Sequence, residues 1–439
     1  MKKINLLLGS LLLAFSTISC DSFLDIEPEG KIIPKTQEDF RALLTQGYVS
    51  FPGHKSLTSL RTDELNLDMQ SMDFINLKDI YIWKDQSQDK LTTEFPWVAF
   101  YTSVFYANHC IIEGGKILPA STEKEQLLGE AYALRAYAFF DLVNLYAKPY
   151  QEATAATEKA IPLALELDLE KVLQPESTQK VYQQIHSDLE QAKYYLQQDT
   201  QEGGMRYRFS KAATLALEAR VFLYQQKWED ARSSALKAMS YNKELEDFNN
   251  NHTLPTHFQS KEAILALELP FSSTLKRSTF ASESLLNAYD AKQDLRYAAY
   301  FEKDGEHYKV KKSGETAMKS SIRTAELYFI LAETEARLHD LKNAKETLST
   351  IIKTRYTTEG AEIILNKMQA LDQATFISFL LEERRKEFSM EGQRWFDLRR
   401  ANQKELRHTL NGKDYILQEN DPRYTLPYPT NARLNNPNL

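Results

Sequence analysis

The segment EKEQLLGEAYALRAYAFFDLVNLY, residues 123–146, has the pattern of a long α-helix. Apolar side chains recur in it every three or four positions, at Leu127, Leu128, Ala131, Leu134, Ala138, Phe139, Leu142, Val143 and Tyr146. This spacing places the apolar side chains on one face of a helix, where they can pack against a core. Pro149 lacks a backbone N–H and cannot continue a helix. The segment therefore predicts a core-facing helix that ends before Pro149.

Two later segments have the pattern of paired helices. Small and apolar residues recur on both sides of a break at residues 225–227 within 210–240, and again around His339-Asp340 within 322–352. Small residues at such spacings let two helices approach closely, as in tetratricopeptide-type repeats. Further helices are predicted at residues 38–47, 96–117, 177–198 and 374–400. Because long segments separate the repeat-like units, we predict a mainly α, solenoid-type scaffold that is interrupted by insertions.

Two insertions differ from the scaffold in composition. Residues 65–93 mix polar side chains with a few aromatic ones, and residues 249–321 are rich in Ser, Thr, Asp and Lys. The second insertion is too long for a loop without structure, and we expect short strands at residues 263–269 and 307–310. Loops on a rigid scaffold usually carry binding residues. We therefore expect the two insertions to form a ligand-binding face.

The N-terminus predicts export and a lipid anchor. Lys2-Lys3 precede an apolar stretch over residues 4–18, which is too short to span a bilayer comfortably and fits a signal peptide over residues 1–19. Cys20 would then be the acylated first residue of a single mature domain over residues 20–439. Each buried CH₂ of an acyl chain contributes about 0.8 kcal/mol to membrane binding, so two or more chains anchor stably.

The recognition sequence before Cys20 is imperfect, because Thr17 and Ile18 stand where lipoprotein signals usually have Leu and a small residue. A plain secretory signal therefore stays open as an alternative. A thioether-linked Cys20 could not pair with Cys110, the other cysteine, and we expect no disulfide.

Composition narrows the class of protein. The chain has 14 glycines against 23 tyrosines and 22 phenylalanines, which suits a helical protein with many aromatic contacts. Its net charge of −7 becomes −9 once Lys2 and Lys3 are removed with the signal peptide. An acidic protein has no electrostatic basis for binding nucleic acid.

We find no motif of an enzyme. The sequence contains no Gly-x-Ser-x-Gly, no His-Glu-x-x-His, no phosphate-binding glycine loop and no Cys-x-x-Cys. His252 and His257, with Glu246 and Asp247 upstream, have poor spacing for a metal site, and a solvated loop is the favoured interpretation. We expect no catalytic residue, no metal and no cofactor. Sequence spacing leaves a glycosidase carboxylate pair open, since such a pair is defined by its separation in space.

The motif ERRKEFSMEGQRWFDLRR, residues 383–400, has the highest density of charges. It allows a charged catalytic patch, but a structural network of salt bridges around Trp395 is favoured. Three pairs of opposite charge lie three residues apart, which are Glu383 with Lys386, Arg384 with Glu387, and Arg394 with Asp397. The motif residues assigned to this structural role are Arg384, Arg385, Glu387, Trp395 and Asp397.

The same motif resembles the C-terminal signature of the SusD/RagB family, outer-membrane nutrient-binding lipoproteins of Bacteroidetes. Other similar segments follow in the family's order: CDSFLDIEPEG (20–30), EAYALRAYAFFDLVNLYAKPY (130–150), VYQQIHSDLEQAKYYL (181–196), IRTAELYFILAETEARL (322–338) and DPRYTLPYPTNARLNNPNL (421–439). One departure is Ala147, where the family often has glycine. The resemblance covers almost the whole mature chain and implies the family's tetratricopeptide-like fold.

The resemblance also implies a function. Family members cover a TonB-dependent transporter, the SusC-like partner, at the outer face of the outer membrane, and they capture oligosaccharides or, in some cases, peptides. Sugar rings present C–H faces that stack on aromatic side chains, and hydroxyls that need polar partners. We therefore select four aromatic residues of the insertions as candidate ligand contacts: Phe74, Trp83, Phe280 and Tyr289. For Trp83 a structural role is equally favoured, since Tyr81 and Trp83 alternate as in a strand that packs one face on the core.

Three alternatives stay open beside oligosaccharide capture. Peptide capture would use the same surface, and nothing in the sequence separates it from a glycan cleft. A lipid-anchored hydrolase and a purely structural helical-repeat adaptor are the other two. Tyr297, Tyr300 and Tyr308 follow an Asp294-x-Arg296 pair that is similar to a family strand motif, and we expect them to support the fold.

Overall fold

The computed structural model describes residues 34–85, 89–168 and 170–439. The predicted signal peptide and Cys20 lie outside the described residues. Residues Thr36–Leu439 form one compact unit. Among the described residues, no helix combines the length and the apolar character needed to cross a membrane.

Helices dominate the unit. Their bounds are α1 Gln37–Ser50, α2 Lys55–Leu60, α3 Phe74–Tyr81, α4 Val98–His109, α5 Thr122–Tyr146, α6 Thr178–Tyr195, α7 Lys211–Tyr224, α8 Trp228–Met239, α9 Ser273–Ser278, α10 Glu283–Leu286, α11 Leu295–Tyr300, α12 Thr324–Arg337, α13 Leu341–Arg355, α14 Thr358–Gln369, α15 Gln373–Glu387, α16 Gln393–Ala401 and α17 Thr430–Asn435. Helix α4 continues through a π-turn at Cys110–Gly114 into a last turn at Gly115–Ile117.

In the described part of the chain, ten short strands form five two-stranded antiparallel sheets. Their bounds are β1 Leu65–Leu67, β2 Lys159–Pro162, β3 Pro175–Ser177, β4 Ala263–Leu265, β5 Thr279–Ala281, β6 Phe301–Asp304, β7 His307–Val310, β8 Ile322–Arg323, β9 Leu406–Leu410 and β10 Lys413–Leu417. The pairs are β1 with β5, β2 with β3, β4 with β8, β6 with β7, and β9 with β10. The described structure is therefore mainly α, which confirms the predicted fold class.

Helix α5 is the long helix predicted from residues 123–146. The Ser121 side chain caps it by accepting a hydrogen bond from the Lys124 N–H at 3.1 Å. The helix ends at Ala147, which is extended, two residues before Pro149. Almost every residue from Gln126 to Tyr146 is buried, polar ones included, so other elements surround the helix.

The helices stack in sequence order even where the insertion interrupts them. Helix α5 packs on α6, and α7 packs on α8 and α12 on α13, as the two paired patterns predict for the last two pairs. Helix α8 then packs directly on α12, although residues 240–323 separate them in the chain. The insertion therefore leaves the helical scaffold continuous and forms a structure of its own beside it.

Two sequence predictions are wrong in local geometry. Residues 374–400 form two helices rather than one, because the chain turns between them through Met390 and Gly392, with φ of 58° and 74°. A side chain at Gly392 would meet Lys55, so this turn requires glycine. Tyr81 and Trp83 do not alternate along a strand, since Tyr81 ends α3 and Trp83 has a φ of 55°.

The charged motif at residues 383–400 forms a buried network of ion pairs, and most of its partners lie far away in the sequence. Lys386 pairs with Glu383 as expected. Arg384 pairs with Asp397 at 2.8 Å and not with Glu387, and Arg394 pairs with Asp63 at 2.9 Å and not with Asp397. The i,i+3 rule fails here because buried charges take the partner that the tertiary fold supplies.

Glu387 is the centre of this network. Arg296, Arg323 and Arg355 all donate to its carboxylate, and all four side chains are buried. Burial alone would raise the pKa of Glu387, but the guanidinium groups outweigh it and hold that pKa well below its usual value.

Two other residues of the charged motif, Arg385 on α15 and Trp395 on α16, also have contacts outside the motif. Arg385 reaches Glu382 and Asp63, at 2.8 and 3.6 Å. Trp395 is fully buried, stacked on Tyr424 at 5.0 Å between ring centroids and 4.7 Å from the Arg61 guanidinium.

Candidate ligand-binding face

The two insertions are joined by a short β-ladder. Strand β1 of the first insertion pairs with β5 of the second, and Asn66 lies directly opposite Phe280. Leu65 and Leu67 point into the core, while Asn66 is exposed. Because side chains alternate along a strand and opposed residues share a face, Asn66 and Phe280 lie side by side on the outer face.

Aromatic and cationic groups surround Phe280. The exposed His307 ring stacks on the half-buried Phe280 ring, with 4.3 Å between centroids and 23° between planes. Lys309 Nζ lies 5.4 Å from the same ring and forms an ion pair with Asp304 at 2.8 Å. Strand β7, which the sequence predicts at these residues, places His307 and Lys309 on the Phe280 side of the β6–β7 hairpin.

The start of α3 is fixed to this ladder by an ion pair. Arg277 Nε donates to Asp73 Oδ2 at 2.8 Å, and Ser278 Oγ donates to the same oxygen at 3.1 Å. The Arg277 hydrogen bond is the main reason why the pKa of Asp73 lies below its usual value. Asp73 is followed directly by Phe74, so these bonds hold Phe74 near the β5 end of the face.

Exposed apolar side chains extend the face around Phe74. Phe74 itself is half-buried, while Met72 is 92% exposed and Met69 and Ile75 are each nearly half exposed. Exposed apolar patches mark surfaces that bind ligands or partners, and these four side chains all lie within residues 69–75. We call the surface formed by Asn66, Met72, Phe74, Phe280 and His307 the insertion face.

The structure separates the four predicted contact residues into two groups. Phe74 and Phe280 lie on the insertion face. Trp83 is 1% exposed, donates Nε1–H to the Arg61 carbonyl at 3.0 Å and stacks on His408. Tyr289 is 6% exposed and donates its hydroxyl to the Lys386 carbonyl at 2.7 Å. Neither Trp83 nor Tyr289 has an open ring face here, which speaks against a ligand contact for both.

The tyrosines of the second insertion are fold residues in the described structure. Tyr300 is fully buried in a cluster of apolar side chains, and Tyr297 and Tyr308 pack against that cluster. The Asp294-x-Arg296 pair begins helix α11 rather than a strand, and Arg296 is buried between Asp294 and Glu383.

The sequence alone did not identify Asn66, Arg277 and His307 as residues of the candidate binding surface. The partner of Asn66 is more than 200 residues away, so local pattern could not place it beside Phe280. The predicted strand at residues 307–310 carried a signal for His307, because alternation puts His307 and Lys309 on one face.

A second concave surface lies between residues 84–85 and 89–95 on one side and the C-terminal segment 420–433 on the other. Two adjoining cavities of about 180 and 950 Å³ share Lys84, Asp85, Leu426 and Pro427. Phe95, Tyr146 and Tyr428 give the smaller cavity an aromatic wall, and Glu94 and Arg433 stand at its rim. We call this surface the C-terminal cleft.

The insertion face presents side chains that are suited to non-covalent contacts. It offers aromatic rings for stacking, an amide with a donor and an acceptor, and charged groups already in ion pairs. The Asn66 amide is oriented by Tyr81, whose hydroxyl lies 3.5 Å from Asn66 Oδ1. Rings beside an amide suit a ligand with apolar faces and hydroxyl edges.

Two related family models match successive parts of the chain. A family described as "Starch-binding associating with outer membrane" matches residues 22–223, and the SusD family matches residues 217–439. A SusD-like protein of Formosa agariphila is 27% identical over 241 residues, which are 51% of this chain and 43% of that protein. The chain thus aligns with less than half of the length of that curated relative.

Solved structures share the fold. A SusD superfamily protein of Bacteroides thetaiotaomicron superposes with a TM-score of 0.77 at 20% identity, over 92% of this chain and 98% of that one. A laminarin-binding SusD-like protein superposes with a TM-score of 0.65 at 17% identity, over 92% and 98% of the two chains. At such identities the likeness concerns the fold alone.

Proposed function

The chain belongs to the SusD family, and from this premise we propose that it captures oligosaccharides on the insertion face and delivers them to a SusC-like TonB-dependent transporter. The observation that carries the proposal is the β1–β5 ladder, which brings Asn66 and Phe280 together with His307 on an exposed surface. The laminarin-binding relative supports a glycan as the ligand.

The contacts of the insertion face suit a sugar chain. A pyranose presents an apolar C–H face that stacks on a ring, and the stacked pair of Phe280 and His307 offers such a surface. The Asn66 amide beside it can donate to one sugar hydroxyl and accept from another. The small number of polar groups implies modest affinity, which suits a protein that passes its ligand on.

Substitutions on the insertion face test the capture site. Soluble polysaccharides, with laminarin, amylopectin and xylan among them, are screened by affinity electrophoresis, and the best binder is measured by calorimetry. We expect Phe280→Ala to lose about 2 kcal/mol of binding free energy, and Asn66→Ala to lose about 1 kcal/mol. The matched control is Tyr194→Ala, which removes a 76% exposed aromatic ring from α6 on the scaffold.

The C-terminal cleft is the alternative binding site that the same measurements test. If Phe95→Ala abolishes binding while Phe74→Ala and Phe280→Ala keep the affinity of the wild-type protein, the site has been assigned to the wrong surface. Chromatography of the incubated polysaccharide checks the absence of catalysis, since a hydrolase would release shorter products.

Peptide capture is the second candidate, and one observation favours it. Met69, Met72 and Ile75 leave flexible apolar surface beside Phe74. Methionine adapts to irregular apolar partners, as binding surfaces for varied peptides require. A peptide ligand would bind less tightly after Met72→Ala, whereas a sugar stacked on Phe280 would be affected little.

We also propose that Cys20 carries the lipid anchor and that the transporter is a stable partner. Cys20→Ala should move the protein from the membrane fraction to the soluble fraction. Copurification from detergent-extracted outer membranes should recover a TonB-dependent transporter with the wild-type protein. Recovery of the protein without such a partner would contradict the delivery step.

A further inference from the structure

Three buried side chains from separate parts of the chain meet in the core. His54 directly precedes α2, Asp141 lies on α5, and Glu268 follows β4. Their residues are 0, 4 and 3% exposed. His54 Nε2 lies 3.4 Å from Asp141 Oδ2, and His54 Nδ1 lies 3.7 Å from Glu268 Oε1.

Three polar atoms of this group have no hydrogen-bond partner among the described residues: His54 Nε2, Asp141 Oδ2 and Glu268 Oε1. The neighbouring atoms of two of these residues are engaged. His54 Nδ1 lies 3.3 Å from the Pro52 carbonyl, and Glu268 Oε2 accepts from Lys55 Nζ at 2.7 Å and from the Tyr137 hydroxyl. Buried polar atoms are nearly always paired, so three adjacent exceptions indicate a missing partner.

The tautomer of His54 makes the missing partner a cation. A carbonyl can only accept, so the contact with Pro52 assigns the ring proton to Nδ1 and leaves Nε2 with a lone pair. Nε2 then faces the Asp141 carboxylate, which is an acceptor as well, while the Glu268 carboxylate lies on the Nδ1 side of the ring. The ammonium of Lys55 pairs directly with Glu268 at 2.7 Å, whereas no lysine or arginine of the described residues forms a direct ion pair with Asp141.

We propose that His54, Asp141 and Glu268 bind one divalent transition-metal ion of the Zn²⁺ type. One imidazole nitrogen and two carboxylate oxygens are a donor set that zinc accepts, with bonds of about 2.0–2.2 Å. The three donor atoms lie within 4.8 Å of one another, which is close enough for one ion to reach all of them after small rotations. A water molecule would complete a tetrahedron.

The surroundings have the features that support a metal site. Ligating histidines usually donate their other N–H to a carbonyl or carboxylate, as His54 does to Pro52. Lys55 and Tyr137 hold the second oxygen of Glu268 and so orient the first. Because the group is buried, the ion would enter as the chain folds, and it would fasten the segment before α2 and the second insertion to α5.

Refolding with Zn²⁺ alone tests the proposal on the full mature chain. The protein is unfolded with chelator, refolded with or without Zn²⁺, passed over a desalting column and analysed for metal. We expect about one ion per chain in the wild-type protein, with a higher melting temperature than the metal-free form. His54→Gln and Asp141→Asn should both lose this ion.

Two further variants separate ligation from folding. His408→Gln is the matched control, because His408 is also buried but contacts two backbone carbonyls and no carboxylate. It should retain the ion. Tyr137→Phe keeps the three ligands and removes a bond that orients Glu268, so Zn²⁺ affinity should fall about 10- to 100-fold.

A proton on Asp141 would also balance the charge, and it is the alternative that this experiment distinguishes. If refolded wild-type protein retains no more Zn²⁺ than His54→Gln, a proton fills the site and the proposal is overturned. An anomalous zinc peak in crystals that lies away from His54, Asp141 and Glu268 would overturn it as well. Neither result bears on ligand capture, because the group lies in the core and apart from the insertion face.

Discussion

Glu64 is a fully buried carboxyl beside the ion pairs of Asp63. Its Oε1 accepts one hydrogen bond, from the Met390 N–H at 3.3 Å, and no cation of the described residues forms an ion pair with it. Burial, with the charge of Asp63 as the second cause, raises the pKa of Glu64 to about 8. Asp63 behaves in the opposite way, because hydrogen bonds and charges from Arg394 outweigh its burial and lower its pKa.

The raised pKa predicts a loss of stability with rising pH. Unfolded Glu64 releases its proton near pH 4.5, while folded Glu64 keeps it to about pH 8. The folded state thus binds the extra proton between these values, and its contribution to stability falls through this window, by as much as about 5 kcal/mol. We expect Glu64→Gln to remove this fall.

Urea unfolding at pH 5, 7 and 8.5 measures the effect as the difference between Glu64→Gln and the wild-type protein. The difference should grow in favour of the variant as the pH rises. Glu244→Gln, at an exposed carboxyl, is the control and should show no such trend. A constant difference between Glu64→Gln and wild type across the three pH values would mean that Glu64 ionises normally in the folded protein.

At the scale of elements, the contact between α5 and the end of α6 depends on one glycine. A Cβ at Gly129 would lie 2.7 Å from the Leu196 backbone nitrogen and 2.8 Å from Leu196 Cγ. Gly129→Ala should therefore force the two helices apart and destabilise the protein by about 1–3 kcal/mol.

Gly115→Ala is the matched control for this prediction. Gly115 is also helical, but a Cβ there would meet only Leu128 Cδ2 at an ordinary 3.7 Å. Alanine is the better helix former, so the control should be neutral or stabilising by up to about 1 kcal/mol. Chemical denaturation compares the two, and equal effects would argue against a close approach at Gly129.

Helices were predictable from the sequence because their signal is local. The apolar spacing of residues 123–146 and the paired patterns at 210–240 and 322–352 identified α5, α7, α8, α12 and α13. The break between α15 and α16 was not predictable, since it depends on the contact of Gly392 with Lys55, more than 300 residues away.

The candidate face was predictable only in part. The composition of the insertions led to Phe74 and Phe280, because exposed loops on a scaffold tend to carry binding residues. Composition could not show that Trp83 and Tyr289 are buried, since each is covered by elements distant in sequence, such as the strand of His408 and the end of α15.

At the scale of the whole molecule, the charge network fastens the second insertion to the helical scaffold. Arg323 precedes α12 and donates to three carboxylates, those of Glu262, Glu387 and Glu391, at 2.8–3.0 Å. Glu262 belongs to the insertion, and the other two belong to the C-terminal motif. The network therefore holds the insertion face in a fixed position on the repeats.

Arg323→Met tests this role. The variant leaves three buried carboxylates without one of their main counter-charges, and we expect a loss of about 3–5 kcal/mol of unfolding free energy. Arg407→Met, which removes an exposed pair with Asp414, should leave the stability nearly unchanged. Equal effects of the two substitutions on urea unfolding would show that the buried network is dispensable.

Whether the insertion face captures a sugar chain can be observed in a crystal structure of the protein with its best-binding oligosaccharide. We expect a sugar ring against Phe280 and His307, with a hydroxyl within hydrogen-bonding distance of the Asn66 amide. A sugar seated in the C-terminal cleft, with the insertion face unoccupied, would contradict this expectation.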